Sequence, residues 1–339
     1  MIEIEFIPVG NETNTGDAIL CHFTEPGIGV NRVVLIDGGF SDTASQIVNH
    51  VRQYYGTRTI DLMVCTHPDD DHINGLFGVF EDLEVRQLLV HRPSTYGYGS
   101  DDVKANRVDE LIELALRSGT AVTTQAFTGA TFFGGALTVA GPSEDYYKEL
   151  LSEQEAAALH ASGIGAAFRA AAKGLLRALT PRRSDPGEGE LSDNGGTSSR
   201  NNSSIILDLR IDRQRALFTG DAGAPALTKA ADYLDVAGLN HTPPDFFDVP
   251  HHGSRHNLTT GVLNRLAGPV IGDSAIRTAF VSVGAQADDF PRPEVANAFK
   301  RRGYQVSATR GQTIRWSRNA GGRPGWTPLT PLPWFEPEE

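Results

Sequence analysis

The residues best suited to chemistry lie together in segment 64–76, which reads Val-Cys-Thr-His-Pro-Asp-Asp-Asp-His-Ile-Asn-Gly-Leu. From His67 to His72, six positions hold two imidazoles and three carboxylates. Carboxylates crowded this closely repel one another unless a cation neutralises them, and imidazole and carboxylate both ligate divalent metals. The segment therefore predicts a divalent metal centre, with two ions rather than one. The alternative is an acidic turn with two solvated histidines, since acidic turns are common.

Polar side chains of the same kind stand at the ends of four other predicted strands. Asp17 precedes one strand, whereas Asp37, Asp221 and the pair His251-His252 follow the others. A single strand-end aspartate often only caps a turn. Together with segment 64–76, however, these positions favour one site to which several separate strands contribute.

The hydrophobic pattern predicts the elements that must position these groups. Apolar or alternating runs predict strands at 2–9, 18–23, 32–36, 62–65, 85–90, 121–127, 132–139, 204–209, 215–219, 246–249, 278–283 and 305–308. Helical spacing predicts helices at 41–55, 103–118 and 293–302, and a further helix that starts at residue 74.

Two other regions have a different composition. Residues 143–200 are first rich in alanine and leucine and then lose all periodicity, which predicts an insertion that begins helical and ends in a flexible loop at 178–196. The tail at 320–339 is rich in proline and tryptophan, and we expect it to pack over the body as extended chain. The insertion lies between the strand that ends near Val139 and the Asn201-Asn202 turn, so both of its ends should lie near the catalytic domain and its helices could cover the cleft. We therefore predict that it gates the site, and that cleavage near Arg182-Arg183 or binding of a regulatory protein releases activity. A surface insertion without a role is the alternative.

Composition limits the class of protein. The chain has 339 residues, is 40% hydrophobic and carries a net charge of −12. Its two cysteines, Cys21 and Cys65, lie in apolar runs, which predicts buried thiols in a reducing compartment. No apolar run is long enough to cross a bilayer, so we expect a cytoplasmic protein without a membrane segment. The negative charge argues against DNA binding over the whole surface, but two local basic clusters remain: Lys173, Arg177, Arg182 and Arg183, and Lys300, Arg301 and Arg302.

Six motifs occur in a characteristic order. They are Gly-Asp-Ala-Ile-Leu at 16–20, Leu-Ile-Asp-Gly-Gly at 35–39, segment 66–76, Asn-Asn-Ser-Ser-Ile-Ile-Leu at 201–207, Phe-Thr-Gly-Asp at 218–221 and Val-Pro-His-His-Gly-Ser at 249–254. In this order the chain resembles the metallo-β-lactamase-fold hydrolases, and within them the ComEC/Rec2-like branch, over roughly 1–142 and 200–318. The resemblance implies an α/β fold, a four-layer αββα sandwich with metals at one edge of its two sheets. It further implies one domain over 1–339 that contains the insertion.

The resemblance also implies a role for each motif residue. His67 and Asp69 would hold the first metal, Asp71 and His72 the second, and Asp221 would bridge them. His251 or His252 would complete a coordination sphere or act on the leaving group, so that the predicted catalytic residues are Asp71, His251 and His252.

Further residues are implied around the ligands. Asn201 or Asn202 lies where many relatives place another histidine, and Asp17 and Asp37 would hold the histidines or loops in place. Arg292 replaces the last histidine of a His-Pro-His-Pro-Glu segment that ComEC-like domains carry. This substitution predicts a weaker second metal site or a guanidinium that binds a substrate phosphate, unless Arg292 is a plain surface residue.

The donor set indicates the reaction. Aspartate oxygens in place of imidazole make the site harder, so Mn²⁺ becomes as suitable as Zn²⁺, and Mg²⁺ also fits. Two such ions activate a hydroxide for in-line displacement, which predicts a phosphodiesterase, most of all a nuclease acting on nucleic acid. One alternative is a hydrolase of a small ester, thioester, lactam or cyclic nucleotide, and another is a non-catalytic domain that binds metal or a partner. Free-standing relatives in bacterial anti-phage defence make defence the expected setting.

Overall fold

Two large β-sheets form the centre of the molecule in a computed structural model that describes residues 1–98, 102–161, 191, 196–272 and 274–335. The strands are β1 (Ile2–Phe6), β2 (Ile19–Thr24), β3 (Asn31–Ile36), β4 (Thr59–Ile60), β5 (Leu62–Cys65), β6 (Glu84–Val85), β7 (Gln87–Val90), β8 (Ala121–Thr123), β9 (Thr131–Phe132), β10 (Leu137–Gly141), β11 (Ile206–Ile211), β12 (Gln214–Phe218), β13 (Phe246–Asp248), β14 (Arg277–Val281), β15 (Tyr304–Ala308) and β16 (Ile314–Arg318).

Each sheet has seven strands and combines an antiparallel part with a parallel part. The first sheet has the order β16-β1-β2-β3-β5-β7-β8, and the second has the order β15-β14-β13-β12-β11-β10-β9. Strands β3, β5, β7 and β8 are parallel, and so are β12, β13, β14 and β15. The carboxyl ends of parallel strands share one edge of a sheet, which is where ligand-binding loops gather in such sheets.

Side-chain alternation along the strands separates the layers. In β5, Leu62 and Val64 belong to the core between the sheets, whereas Met63 faces the other side. In β12, Phe218 joins the same central core, and Leu217 faces outward. Because alternate side chains of a strand point to opposite faces, each sheet buries two faces and needs helices on the outer one.

Helices cover both outer faces. They are α1 (Ala44–His50), α2 (Asp70–Asp82), α3 (Val103–Arg117), α4 (Glu144–Ala161), α5 (Ala224–Val236), α6 (Thr260–Leu266) and α7 (Pro293–Arg301). Helices α1, α2 and α3 share a core with the outer face of the first sheet, and α5, α6 and α7 share one with the second. The predicted αββα sandwich is therefore confirmed.

Several predicted boundaries are wrong. Helix α2 begins at Asp70 rather than at residue 74, because Asp69 is extended and ends the preceding loop there. The strand predicted at 121–127 ends at Thr123. Helices α5 and α6 and strand β16 were not predicted, although the apolar spacing of α5 and the Pro225 in its first turn contain the signal.

The insertion and the tail are described only in part. The insertion begins as predicted with helix α4, but residues 162–190 and 192–195 lie outside the described residues, and with them Lys173, Arg177, Arg182, Arg183 and most of the 178–196 loop. The tail runs without helix or strand from residue 319 to residue 335, and its Arg323 guanidinium contacts the carboxylates of Glu3 and Glu5. Cys21 and Cys65 are buried free thiols, as expected. No helix in the described part of the chain is long and apolar enough to cross a membrane.

Candidate metal centre

The turn between β5 and α2 presents the first group of candidate ligands. Thr66 and His67 follow β5 directly, and Asp69 has an extended backbone immediately before α2. Asp71 and His72 lie in the first turn of that helix. The four candidate ligands His67, Asp69, Asp71 and His72 therefore span a strand end, a loop and a helix start, which lets side chains close in sequence point toward one place.

Close packing fixes this turn against the loop that follows β3. A Cβ atom on Gly75 would lie 1.8 Å from the carbonyl oxygen of Gly38, so no larger residue fits there. The Gly38 amide donates to the carbonyl of His72 at 2.7 Å, and the Gly75 amide donates to the carbonyl of Gly39 at 2.9 Å. The glycine of the Asp-His-Ile-Asn-Gly run thus sets the distance between α2 and the strand end that carries Asp37.

The second sheet contributes the remaining ligands from the ends of β12 and β13. Asp221 follows β12, and its amide donates to the hydroxyl of Ser204 at 3.2 Å. His251 and His252 follow β13 in consecutive left-handed conformations, with φ of 48° and 56°. Non-glycine residues rarely adopt this region, and such strain concentrates at functional sites. Here it brings two neighbouring imidazoles to the same centre.

The Asp221 carboxylate lies between two pairs of imidazoles. Its Oδ2 is 3.8 Å from Nε2 of His67 and 3.5 Å from Nε2 of His251. Its Oδ1 is 3.5 Å from Nε2 of His72 and 4.0 Å from Nε2 of His252. The two oxygens of one buried carboxylate therefore face two separate sets of nitrogen donors.

Each set is completed by a second carboxylate. Oδ2 of Asp69 is 3.6 Å from Nε2 of His67, and Oδ2 of Asp71 is 3.9 Å from Nε2 of His72 and 3.7 Å from Nε2 of His252. We define the first half-site as His67, Asp69, His251 and Asp221 Oδ2. The second half-site comprises Asp71, His72, His252 and Asp221 Oδ1.

Unpaired buried atoms show that the residues fit a metal. Nε2 of His67, Nε2 of His72, both ring nitrogens of His252 and Oδ1 of Asp221 have no hydrogen-bond partner among the described residues. Leaving a buried polar atom unsatisfied costs about 1–3 kcal/mol, so several at one point call for a partner. The N···O separations of 3.5–4.0 Å around Asp221 are too long for hydrogen bonds. They are close to the roughly 3.4 Å between two ligand atoms of one tetrahedral zinc ion.

The Nδ1 atoms of His72 and His67 are hydrogen-bonded to orienting groups, whereas that of His252 only lies near a carboxylate. Nδ1 of His72 donates to Oδ2 of Asp37 at 2.8 Å, and Nδ1 of His252 lies 3.8 Å from Oδ1 of Asp17. Nδ1 of His67 contacts the hydroxyls of Thr66 at 3.1 Å and of Ser204 at 3.3 Å. Asp17 and Asp37 therefore lie beside the Nδ1 atoms of the histidines, and their carboxylates also belong to groups of donors close enough to hold an ion, namely Asp37 with His67 and His72, and Asp17 with His72 and Asp221. Their role in holding the histidines stays a prediction.

Asn257 is a positioning residue that was not predicted from the sequence. Its Nδ2 donates to the carbonyl oxygens of Asp221 at 2.9 Å and Ala222 at 3.3 Å. This fixes the amide orientation, so that its Oδ1 accepts from Nδ1 of His251 at 2.9 Å. Asn257 follows the His-His-Gly-Ser motif by three residues, and only the tertiary contact distinguishes it from an ordinary turn residue.

The two candidate asparagines play different parts. Nδ2 of Asn201 donates to Oδ2 of Asp221 at 3.3 Å, which places Asn201 at the first half-site. Oδ1 of Asn202 accepts from the amide of Gly223 at 3.1 Å, which supports the start of α5. The structure therefore brings Asn201 to the centre and leaves Asn202 behind it.

Charges within the centre shift the pKa values of its members. Burial alone would lower the pKa of His72, but Asp221, Asp37 and Asp71 raise it well above the usual value. Burial also opposes protonation of His252, and Asp221 and Asp71 nevertheless raise its pKa to about 9. The pKa of Asp71 falls far below its usual value, because the attraction of His72 and His252 outweighs burial. The carboxylates thus create a potential that favours positive charge at this point.

Basic side chains border the centre on both sides. Lys104 Nζ is 3.4 Å and an Arg200 guanidinium nitrogen 3.7 Å from Oδ1 of Asp69, and neither residue was predicted from the sequence. The backbone amide of Arg292 donates to the carbonyl of Gly253 at 3.0 Å, beside the loop that carries His252. Its guanidinium lies over the ring of Phe290, 5.2 Å from the centroid. The role of Arg292 toward metal or substrate stays a prediction.

Comparison with known proteins agrees with this architecture. The fold and the imidazole–carboxylate centre are those of a metal-dependent hydrolase. The family model of the Metallo-beta-lactamase superfamily matches residues 27–267, more than two thirds of the chain, and the protein belongs to that superfamily. Members are generally hydrolases that bind divalent metals, usually zinc. A sequence search of curated proteins finds no match.

Solved structures include similar folds. The metallo-β-lactamase SMB-1 bound to 2-mercaptoethanesulfonate has 11% identity and a TM-score of 0.36, over 78% of this chain and 86% of that one. A Cronobacter sakazakii metallo-β-lactamase with a HARLDQ motif has 12% identity and a TM-score of 0.33, over 69% and 70%. A metallo-β-lactamase from Hirschia baltica has 15% identity and a TM-score of 0.29, over 69% and 85%. The family assignment rests on the family match alone.

Proposed function

We propose that this superfamily member is a metal-dependent phosphodiesterase, and more specifically a nuclease of the ComEC-like branch. The observation that carries the proposal is the Asp221 carboxylate, whose two oxygens face separate sets of imidazole nitrogens at 3.5–4.0 Å. Two divalent ions bound there would stabilise the attacking and leaving oxygens of an in-line displacement at phosphorus.

The ligand types support a hard divalent metal. Three carboxylates, those of Asp69, Asp71 and Asp221, contribute oxygen, and neither cysteine lies among the donors. This set suits Mn²⁺ or Zn²⁺, and Mg²⁺ as well, because carboxylate ligands favour harder ions than thiolates do. The expected cofactor is a pair of such ions.

Exposure of the donors indicates how substrate reaches them. The side chains of His67 and His72 are fully buried, whereas those of His251, Asp69 and Asp71 are 32%, 27% and 28% exposed. These three groups therefore form the open side of the centre. Lys104 and Arg200 stand on that side beside Asp69, where they would attract an anionic substrate such as nucleic acid.

The two proposed catalytic histidines, His251 and His252, each face one half-site. Asn257 Oδ1 accepts a hydrogen bond from Nδ1 of His251, so that Nε2 of the same ring faces Asp221. His252 faces Asp71 in the second half-site. We therefore assign both histidines to the centre, His251 to the first half-site and His252 to the second, instead of choosing one of them as the ligand.

A substrate panel tests the proposal. Plasmid, single-stranded DNA and RNA are incubated with wild type under Mn²⁺ or Zn²⁺, with EDTA controls, alongside a cyclic nucleotide, p-nitrophenyl acetate, a thioester and a β-lactam. We expect metal-dependent cleavage of nucleic acid that His67→Ala abolishes and that Lys148→Gln, on the exposed face of α4, retains. Turnover of the small substrates alone would contradict the nuclease proposal and support the alternative, a hydrolase of small substrates. Absence of any turnover and of bound metal would favour a non-catalytic domain.

The biological setting is a separate proposal. The motif resemblance to free-standing ComEC-like proteins supports a cytoplasmic role in anti-phage defence, with a regulatory protein or protease acting on the 178–196 loop. Plating phage on cells that express wild type or His67→Ala tests this, and equal plaque counts would contradict it.

A further inference from the structure

We propose that the two half-sites differ in metal affinity, and that a divalent ion occupies the second half-site before the first. The proposal rests on the metal centre of the proposed function and adds an order of loading to it. Two independent differences between the half-sites support this order. One is the set of groups behind the imidazoles, and the other is the set of charges beside Asp69 and Asp71, the carboxylates that complete the half-sites.

The two half-sites differ in the groups that lie directly behind their imidazoles, because only the second has a carboxylate hydrogen-bonded to a ring nitrogen. In the second half-site, His72 Nδ1 donates to the Asp37 carboxylate at 2.8 Å, and His252 Nδ1 lies 3.8 Å from the Asp17 carboxylate. A carboxylate behind an imidazole makes the opposite ring nitrogen a stronger donor, and it adds negative charge close to the ion. His72 has this support through a direct hydrogen bond, and Asp17 adds its charge near His252 without a hydrogen bond to Nδ1.

In the first half-site the groups that contact Nδ1 directly are neutral, and the Asp37 carboxylate is linked to His67 only through the Thr66 hydroxyl, which donates to Asp37 Oδ2 at 2.6 Å. His67 Nδ1 contacts the hydroxyls of Thr66 and Ser204, at 3.1 Å and 3.3 Å. His251 Nδ1 faces the amide oxygen of Asn257 at 2.9 Å. These contacts orient the rings as well as a carboxylate would, but they do not add charge. The first half-site is therefore the weaker donor set.

The charges beside Asp69 and Asp71 also favour binding of an ion at the second half-site. Asp69 of the first half-site shares its Oδ1 with Lys104 at 3.4 Å and Arg200 at 3.7 Å, and both cations repel an incoming metal ion. For Asp71, the described residues include no lysine or arginine nitrogen within 4.0 Å, and its nearest ionic neighbours are His72 and His252. Among the described residues, lysine and arginine side chains therefore compete with a metal ion for the carboxylate of the first half-site and not for that of the second.

Solvent exposure adds to this difference. The half-sites differ in exposure at one imidazole: the side chain of His251 in the first is 32% exposed and that of His252 in the second is 5% exposed. His67 and His72 are both 0% exposed, and Asp69 and Asp71 are alike at 27% and 28%. Electrostatic attraction is stronger away from water, so the buried His252 should hold an ion more firmly than the exposed His251. The ion in the first half-site would be the exchangeable one, and the number of ions bound would follow the free metal concentration.

Titration of the metal-free protein with Mn²⁺ tests the proposal. Calorimetry and electron paramagnetic resonance monitor the binding. We expect two binding steps separated by at least tenfold, with an isolated Mn²⁺ spectrum after one equivalent and a spin-coupled spectrum after two. Asp17→Asn should weaken the tighter step about tenfold and leave the weaker step unchanged, because it removes charge from the second half-site only.

A second variant acts on the other half-site. Lys104→Gln should tighten the weaker step about three- to tenfold and leave the tighter step unchanged, because it removes a cation beside Asp69. Its side chain is partly exposed, so the substitution should not disturb folding. Lys148→Gln is the matched control and should change neither step.

The outcomes separate this proposal from the one on which it rests. Two equal steps, or a weaker step that alone responds to Asp17→Asn, would overturn the loading order and leave the nuclease proposal standing. No Mn²⁺ binding by wild type would overturn both. If Asp17→Asn fails to fold, the response of the weaker step to Lys104→Gln decides alone, and its absence refutes the order.

Discussion

Replacing Asp221 by asparagine should remove metal-dependent stabilisation while leaving the metal-free protein folded. The carboxylate faces both half-sites, so the change takes one oxygen ligand from at least one ion and a full negative charge from both. Its side chain accepts a hydrogen bond from Asn201 at 3.3 Å, which the amide oxygen of asparagine can also accept. The folded structure therefore depends little on the charge, and metal affinity depends on it strongly.

The expected size follows from linkage. A ligand at 100 times its Kd stabilises the folded state by about 2.7 kcal/mol per site. Unfolding entropy is about 2.1 cal/mol/K per residue, or about 0.7 kcal/mol/K over 339 residues. Each ion should thus raise the melting temperature of wild type by about 4 °C. Weakening each site about 100-fold leaves only about 0.4 kcal/mol, which is less than 1 °C per ion.

Differential scanning calorimetry with and without Mn²⁺ measures this difference. Asp232→Asn, on the exposed face of α5, is the control and should keep the full shift of wild type. Elemental analysis of the same samples should find two ions per chain in wild type and one or none in Asp221→Asn. An equal Mn²⁺-induced shift in wild type and Asp221→Asn would refute the bridging role.

Further predictions concern the ligands, a buried histidine and a packed glycine. Asp71→Asn and His67→Ala should each abolish hydrolysis with an unchanged circular dichroism spectrum, and full activity with metal restored would contradict the two-metal interpretation. Burial lowers the pKa of His91 from 6.5 to about 4. Its neutral form therefore stabilises the fold above pH 6.5, and about 3 kcal/mol of that stability is lost as the pH falls to 4. Urea unfolding at pH 7 and pH 4 should show a loss about 3 kcal/mol larger in wild type than in His91→Gln, because the other titrating groups are common to both proteins, and equal losses would refute it. Gly75→Ala should cost about 3 kcal/mol in urea unfolding because of the backbone clash. Gly261→Ala, whose nearest atom is 3.9 Å away, should cost nothing.

Most elements could be predicted from the sequence because each strand carries its own pattern. Strand β5 was predicted at its observed bounds, since its four residues are all buried and are flanked by polar turns. The start of α2 was placed four residues late, because Asp70, Asp71 and His72 carry no apolar periodicity. In the structure these residues form a helical turn, because the extended Asp69 precedes them and the His72 carbonyl pairs with Gly38.

The structure brings the candidate ligands predicted from the sequence to one place, but parts of their arrangement could not be predicted. The sequence alone could not assign His251 and His252 to different half-sites, because the two residues are neighbours of the same type. In the structure, their left-handed backbone angles direct each ring to a different oxygen of Asp221. The orienting Asn257 and the basic Lys104 belong to no motif. Their importance comes from contacts with ligands far away in the chain.

The sequence by itself determined the class of fold and pointed to most of the candidate donors. Hydrophobic alternation is local, and a metal site requires particular side-chain types that the motifs display. Only the tertiary structure decided which half-site each of His251 and His252 faces and which groups lie behind each imidazole. Those relations depend on distances of a few ångströms between the ends of β5, β12 and β13, and packing of the two sheets sets these distances. Affinity and loading order therefore follow from the assembled edge of the sandwich.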